Sequence, residues 1–139
     1  TRAAVPAMVG RGGGRVVMVI TMSAHRIEPS YGAYPPSKGA LEALTKTLAA
    51  ELGAHGIRVN GIHPGYIWGD SVEWYFGYLG KKRGISGEEV YQEVASETAL
   101  GYLPHSSEIA GSVVFFASDL SKPITGQSLD VNCGHWMAP

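Results

Sequence analysis

At 139 residues the chain is long enough for one domain with a real core. Apolar residues make up 45% of it, which argues against disorder, and a net charge of −1 offers no electrostatic footing for nucleic acid or an anionic membrane. Cys133 is the only cysteine, so an internal disulfide is excluded and a reducing compartment is expected. No apolar run approaches the roughly 20 residues needed to span a bilayer. Thr1 to Val9 lacks the charged-then-apolar order of a secretion signal. The expectation is a soluble, cytoplasmic protein with neither nucleic acid nor membrane as partner.

Thr1 to Val9 reads as a helix tail, which Gly10-Arg11-Gly12-Gly13-Gly14 stops and turns. Arg15 to Thr21 reads as a buried parallel strand, being nearly continuous in apolar residues. From Pro35 or Pro36 to about Leu52 the spacing predicts a helix with Leu41, Leu44, Leu48 and Leu52 on one stripe. Proline pushes the residue before it away from helical angles, so Tyr34 is expected just outside this helix. Gly53 and Gly56 end it, and Ile57 to Ile62 reads as a second buried strand. The polar and aromatic stretch from Asp70 to about Leu103 is expected to hold two short helices. The second runs from Gly87 to Leu100 with Ser86 as its N-cap. Glu108 to Leu120 predicts another helix, and Ser128 to Val131 a last short strand. Strands alternating with helices imply parallel pairing, hence a layered α/β sheet formed by residues 1–139 as a single domain. Ligands of such sheets bind beyond the carboxyl ends of the strands. Thr21 ends the first strand there, and His63-Pro64-Gly65 follows the second.

Tyr34-Pro35-Pro36-Ser37-Lys38 places a phenol and an ammonium at positions i and i+4, on roughly one face of a helix that starts there. A phenol is a poor proton donor or acceptor near neutrality, and a neighbouring ammonium favours its phenolate form. That pairing moves a proton on or off an alcohol oxygen while hydride leaves or reaches the carbon. Tyr34 and Lys38 are therefore candidate catalytic residues, and Thr21, with Ser23 two residues on, brings a hydroxyl to the same rim. The plainer reading of Thr21 and Ser23 is a loop hydroxyl capping local backbone.

Val16-Val17-Met18-Val19-Ile20-Thr21, Tyr34 with Lys38, Gly56-Ile57-Arg58-Val59-Asn60 with Pro64-Gly65-Tyr66-Ile67, and Thr125-Gly126 with Asp130-Val131-Asn132 follow one another in a fixed order. In that order and spacing the chain resembles the C-terminal half of a short-chain dehydrogenase/reductase. The resemblance implies a Rossmann-like parallel sheet with flanking helices and an NAD(P)-dependent oxidoreductase that interconverts an alcohol and a ketone. By the same resemblance Tyr34 is the general acid/base, Lys38 also bonds the nicotinamide ribose, and Thr21, or Ser23 in its place, holds the substrate oxygen. Pro64, Gly65 and Ile67 meet the nicotinamide of NAD or NADP. A homo-oligomer, dimer or tetramer, is implied as well. Thr21 stands where serine is usual, two prolines stand where small residues are usual, and Gly69 replaces a frequent threonine. The family's Gly-rich cofactor loop is absent, since Gly12-Gly13-Gly14 precedes a strand instead of following one. The chain is thus expected to be an N-terminally truncated catalytic and substrate-binding half.

Trp68, Trp74, Tyr75, Phe76 and Tyr78 suggest an aromatic cover over the site, with Trp68 and Trp74 against a hydrophobic or ring-bearing alcohol or ketone. The competing reading is a subunit contact. His25, His55, His63, His105 and His135 share no ligand spacing, so no metal is expected. Arg58 and Asn60 are expected to be structural, and Cys133 a buried small residue. Epimerases and dehydratases of related architecture share Tyr-x-x-x-Lys and keep a change of chemistry open. The rival to catalysis is a silent fragment serving as an assembly or binding module through an uncovered sheet edge.

Overall fold

The computed structural model of the chain describes residues 1–138. Its elements follow in the order α1 (Val5–Gly10), β1 (Gly14–Val19), α2 (Tyr34–Leu52), β2 (Ile57–Pro64), α3 (Asp70–Arg83), α4 (Gly87–Ser96), α5 (Ser106–Ala117) and β3 (Ser128–Val131). The three strands form one parallel sheet in the order β1-β2-β3, with Val17 opposite Asn60 and His63 opposite Asp130. This is the α/β arrangement that strand–helix alternation requires.

Side chains alternate between the two faces of β2. Ile57 and Val59 pack with Ala49, placing α2 on one face. Ile62 packs with Ile109 and Phe116, placing α5 on the other. His63 therefore faces the α2 side, while Asn60 faces α5. The inward line of α2 is Thr45 and Ala49, with Leu48 and Leu52 half-buried beside them, and Leu44 is 43% exposed. The predicted leucine stripe is met in part: Leu48 and Leu52 pack against the core, while Thr45 and Ala49 take the closest approach to the sheet. Thr45 settles its hydroxyl by donating to the Leu41 carbonyl at 2.9 Å.

β1 also differs from expectation. It is only half-buried, Val19 is 51% exposed, and among the described residues β1 pairs with β2 alone. An apolar run thus lies at a sheet edge instead of inside. The glycine connector before it is constrained by contact: a Cβ on Gly13, whose φ is +149°, would lie 2.7 Å from the Gly56 carbonyl oxygen.

α3 and α4 form a separate small core around Phe76, Val90 and Leu103. Ser86 caps α4 with Glu89 in a reciprocal capping box, as its sequence position predicts. The helix stops at Ser96, short of Leu100. Thr98 donates to the Ala95 carbonyl at 2.8 Å and accepts from the Gly101 N–H at 3.0 Å, offering the backbone an alternative to another helical turn.

Arg58 and Asn60 are structural ties. The Arg58 guanidinium donates to Ser121 Oγ, to the Ile124 carbonyl and to the Ser118 carbonyl. Buried Asn60 donates to the Ile124 carbonyl at 3.0 Å and accepts from the Gln127 N–H at 3.1 Å. Replacing Asn60 by Ala orphans both groups. The expected loss is about 2–4 kcal/mol of stability in urea denaturation, and a change within 0.5 kcal/mol would show that water replaces the amide.

Candidate active site

Tyr34 is the first residue of α2, with Pro35 and Pro36 in the first turn, where a missing N–H costs nothing. The proline rule alone would place it just outside the helix. The Tyr34 N–H donates to the Tyr31 carbonyl at 3.1 Å and the Ser37 N–H to the Ala33 carbonyl at 3.1 Å, so a turn formed ahead of the prolines overrides their restriction. Tyr34 and Lys38 accordingly keep helical i,i+4 spacing. The Lys38 ammonium lies 5.7 Å from the centre of the Tyr34 ring and donates to the Val19 carbonyl at 3.2 Å. That hydrogen bond anchors the cation at the carboxyl end of β1.

Tyr34 borders a cavity of about 310 Å³ together with Thr21, Ser23 and Gly65. These residues come from the end of β1, the loop after it, the start of α2 and the end of β2. Thr21 is 9% exposed and caps the 3₁₀ turn Met22–Ala24, its Oγ1 accepting from the Ser23 N–H at 3.3 Å. The local capping role is therefore real. Ser23 Oγ, 3.4 Å from Thr21 Oγ1, is half-buried and lines the same cavity. Gly65 fits where little else would: a Cβ there would lie 3.0 Å from Asn132 Cβ.

Met22, Glu28, Tyr31 and Tyr66 complete the wall. Sequence reasoning missed Met22, Glu28 and Tyr31, which lie in an irregular segment without periodic signal. The Tyr31 and Tyr66 hydroxyls are 3.3 Å apart. Burial, and then the bond to Tyr31, pushes the Tyr66 phenol well above its ordinary range, so it serves as a neutral hydrogen-bonding group.

Ile67 packs against the Ile62–Phe116 core, and among the described residues its N–H has no hydrogen-bond acceptor. Trp68 turns away from the cavity. Its N–H donates to the Pro104 carbonyl at 2.8 Å, and its ring meets Tyr91 edge-on at 4.5 Å. Trp74 is 72% exposed and stacks on Tyr78. Neither tryptophan is among the residues that line this cavity. Trp68 belongs to the α3–α4 core, and Trp74 occupies the outer face of α3. A wider cleft bordered by Arg11, Arg15, Arg58 and Lys122 lies at the opposite, amino ends of the strands.

Behind the cavity lies a group of polar residues that linear spacing did not reveal. Glu42 Oε2 is 3.0 Å from His25 Nε2 and 3.9 Å from His63 Nε2, while Glu42 Oε1 accepts from the Lys46 ammonium at 3.0 Å. Burial and the neighbouring His25 hold His63 below the usual imidazole range, against the opposing pull of Glu42 and Asp130. Further along the rim, Glu97 accepts from Arg26 at 2.8 Å and lies 3.1 Å from His135 Nε2. Cys133 is half-buried at φ +55°, and burial raises its thiol above the ordinary value, away from the reactive thiolate.

A family model described as enoyl-(acyl carrier protein) reductase matches residues 1–135. The chain belongs to the short-chain dehydrogenase/reductase family. Among curated relatives it is 36% identical over 124 residues to the short-chain reductase protein NovJ of Streptomyces niveus, covering 89% of this chain and 45% of that one. It is 31% identical to gluconate 5-dehydrogenase of Gluconobacter oxydans, covering 91% of this chain and 46% of that one. The crystal structure of L-sorbose reductase from Gluconobacter frateurii, complexed with NADPH and L-sorbose, superposes with a TM-score of 0.92 at 29% identity. That match covers 99% of this chain and 53% of that one. The chain spans less than half the length of the curated relatives it matches.

The hydrogen bonds of Arg26 and His135 hold the Glu97 carboxyl below its ordinary value of 4.5, with burial opposing. Arg26 also lies 3.4 Å from Glu28. A depressed folded-state pKa stabilises the fold above the unfolded value and loses that contribution as pH falls through the folded value. Glu97→Gln is therefore expected to lower Tm at pH 6, with the gap to the parent protein closing as pH falls below about 4. A gap that stays constant over this range would mean that the pair carries no proton linkage.

Proposed function

We propose that the protein is an NAD(P)-dependent oxidoreductase that interconverts an alcohol and a ketone with Tyr34 as general acid/base. The observation that carries this reading is the convergence of Tyr34, Thr21 and Ser23 on one cavity, with the Lys38 ammonium held beside the phenol. In the oxidation direction the Thr21 or Ser23 hydroxyl holds the substrate oxygen, and the Tyr34 oxygen accepts its proton. In reduction Tyr34 returns it. The nicotinamide of NAD or NADP, when bound, takes or gives the hydride.

The residues present fit that cofactor. An ammonium has three donors, and Lys38 commits one to Val19, which leaves two for ribose hydroxyls. The Ile67 N–H, which has no acceptor among the described residues, suits a carboxamide oxygen beside the glycine turn Pro64-Gly65. The hydroxyl-bearing wall of Thr21, Ser23, Tyr31, Tyr34 and Tyr66 favours a substrate with further oxygens over a purely hydrocarbon one. The sugar-related names of two of the matched proteins agree with this. We place the activity in a cytoplasmic homo-oligomer of the complete natural chain.

The competing reading, a silent assembly module, draws on the unpaired edge of β1 and the exposed Val19. The test is oxidation of NADH or NADPH by the complete natural protein with a panel of hydroxyketones and alkyl ketones. Tyr34→Phe is expected to lower kcat by about 10²–10⁴-fold, the usual share of a positioned acid/base. Thr21→Val and Ser23→Ala separate the two hydroxyl candidates, the larger kcat loss marking the one that holds substrate. Turnover unaffected by Tyr34→Phe would remove the proposed chemistry, and no turnover with any ketone would favour the assembly reading.

A further inference from the structure

We propose that His25, Glu42 and His63 form a binding site for a divalent transition-metal ion of the zinc class. One ligand atom from each residue lies within 4.8 Å of the other two. Tetrahedral zinc with bonds near 2.0–2.2 Å sets its ligand atoms about 3.3 Å apart. The 3.0 Å from His25 Nε2 to Glu42 Oε2 and the 3.9 Å from His63 Nε2 to the same oxygen bracket that value. The third edge, between the two imidazoles, lies within 4.8 Å.

A second, independent observation points to a ligand. His63 is 4% exposed, yet its buried Nε2 has no hydrogen-bond partner. A buried polar atom left without a partner is costly, and a metal ion satisfies an imidazole nitrogen outright. The surroundings are those of a prepared ligand. Asp130 Oδ1, itself without a well-aligned hydrogen bond, lies 3.3 Å from His63 Nδ1. That is the position from which a carboxylate fixes the tautomer whose Nε2 lone pair faces a metal. His25 stacks flat on Trp136, with ring centres 4.8 Å apart and planes within 6°. Lys46 holds the other oxygen of Glu42 and so turns Oε2 toward the two rings.

Two imidazoles and one carboxylate select against calcium and magnesium, which prefer oxygen ligands. The fourth position falls to water, which reaches the site past His25. The ligands come from the loop after Thr21, from α2 eight positions beyond Tyr34, and from the end of β2 just before Gly65. An ion there pins the three segments that wall the cavity. It takes no part in proton or hydride transfer, so the site stands or falls independently of the oxidoreductase reading.

The test is calorimetric titration of the complete natural protein, stripped with chelator, with Zn²⁺ alone, followed by visible spectroscopy with Co²⁺. One Zn²⁺ per chain is expected. Glu42→Gln and His25→Gln should each weaken binding at least tenfold and abolish the Co²⁺ ligand-field band, and Asp130→Asn should weaken it about 10–100-fold. His55→Gln, at an exposed histidine outside the cluster, should change nothing. Zn²⁺ should also raise the Tm of the parent protein and not that of the His25→Gln, Glu42→Gln double variant. Absence of Zn²⁺ binding by the parent, or equal affinity in parent and double variant, would overturn the proposal.

Discussion

Hydrogen bonding of β2 to a strand on each side is the constraint on which the rest depends. A strand paired on both edges cannot slip, and its two-residue period then fixes which side chains meet α2 and which meet α5. Ile57 and Val59 meet α2, and Ile62 meets α5. The same period carries His63 to the α2 side, where Glu42 waits one helical turn before the close-packed Thr45. It also brings the chain out at Pro64-Gly65 on the rim where β1 delivers Thr21. A register shift of one residue would move every one of these groups to the wrong face.

The close approach of α2 to β2 is the second determinant. Thr45 and Ala49 at the contact hold the helix near the sheet, which sets the depth of Tyr34 and Lys38 at its first turn. Lys38 reaches the last carbonyl of β1 only because that turn lies directly over the strand end. The geometry of the cavity rim and core packing are therefore the same problem in this region, and leucine on the inner line of α2 would lift the ammonium from its anchor.

Much of this was legible in the sequence because it is local or periodic. The β-branched run of Val16 to Ile20, the Ser86-to-Glu89 capping box and the short strand Ser128–Val131 each carry their own signal, and the structure has all three. Tyr34, Thr21 and Gly65 stand out by their order along the chain, and the structure brings these three to one cavity. The misplacements have physical reasons. On α2 the closest approach to the sheet belongs to Thr45 and Ala49, with Leu48 and Leu52 packed half-buried beside them. Tyr34 entered the helix because a preceding turn overrode the proline rule. Size alone does not place a tryptophan: α3 and α4 supply a core of their own that uses Trp68 and leaves Trp74 outside. The His25–Glu42–His63 group was invisible because its members come from three segments related only by the fold.

The two ends of the sheet are fastened by different chemistry. At the amino ends Arg58 and Asn60 do the tying, a guanidinium and a neutral amide that keep their protonation state at any ordinary pH. At the carboxyl ends the ties are imidazoles and carboxylates: Glu42 with His25, His63 with Asp130, Glu97 with His135. Among the described residues imidazole–carboxylate contacts are thus confined to one rim; the carboxylate at the other, Asp119, pairs with Arg15 at the surface. A guanidinium and an amide bonded largely to backbone thus fix the base of the domain, while its cavity rim is held by side chains that meet one another.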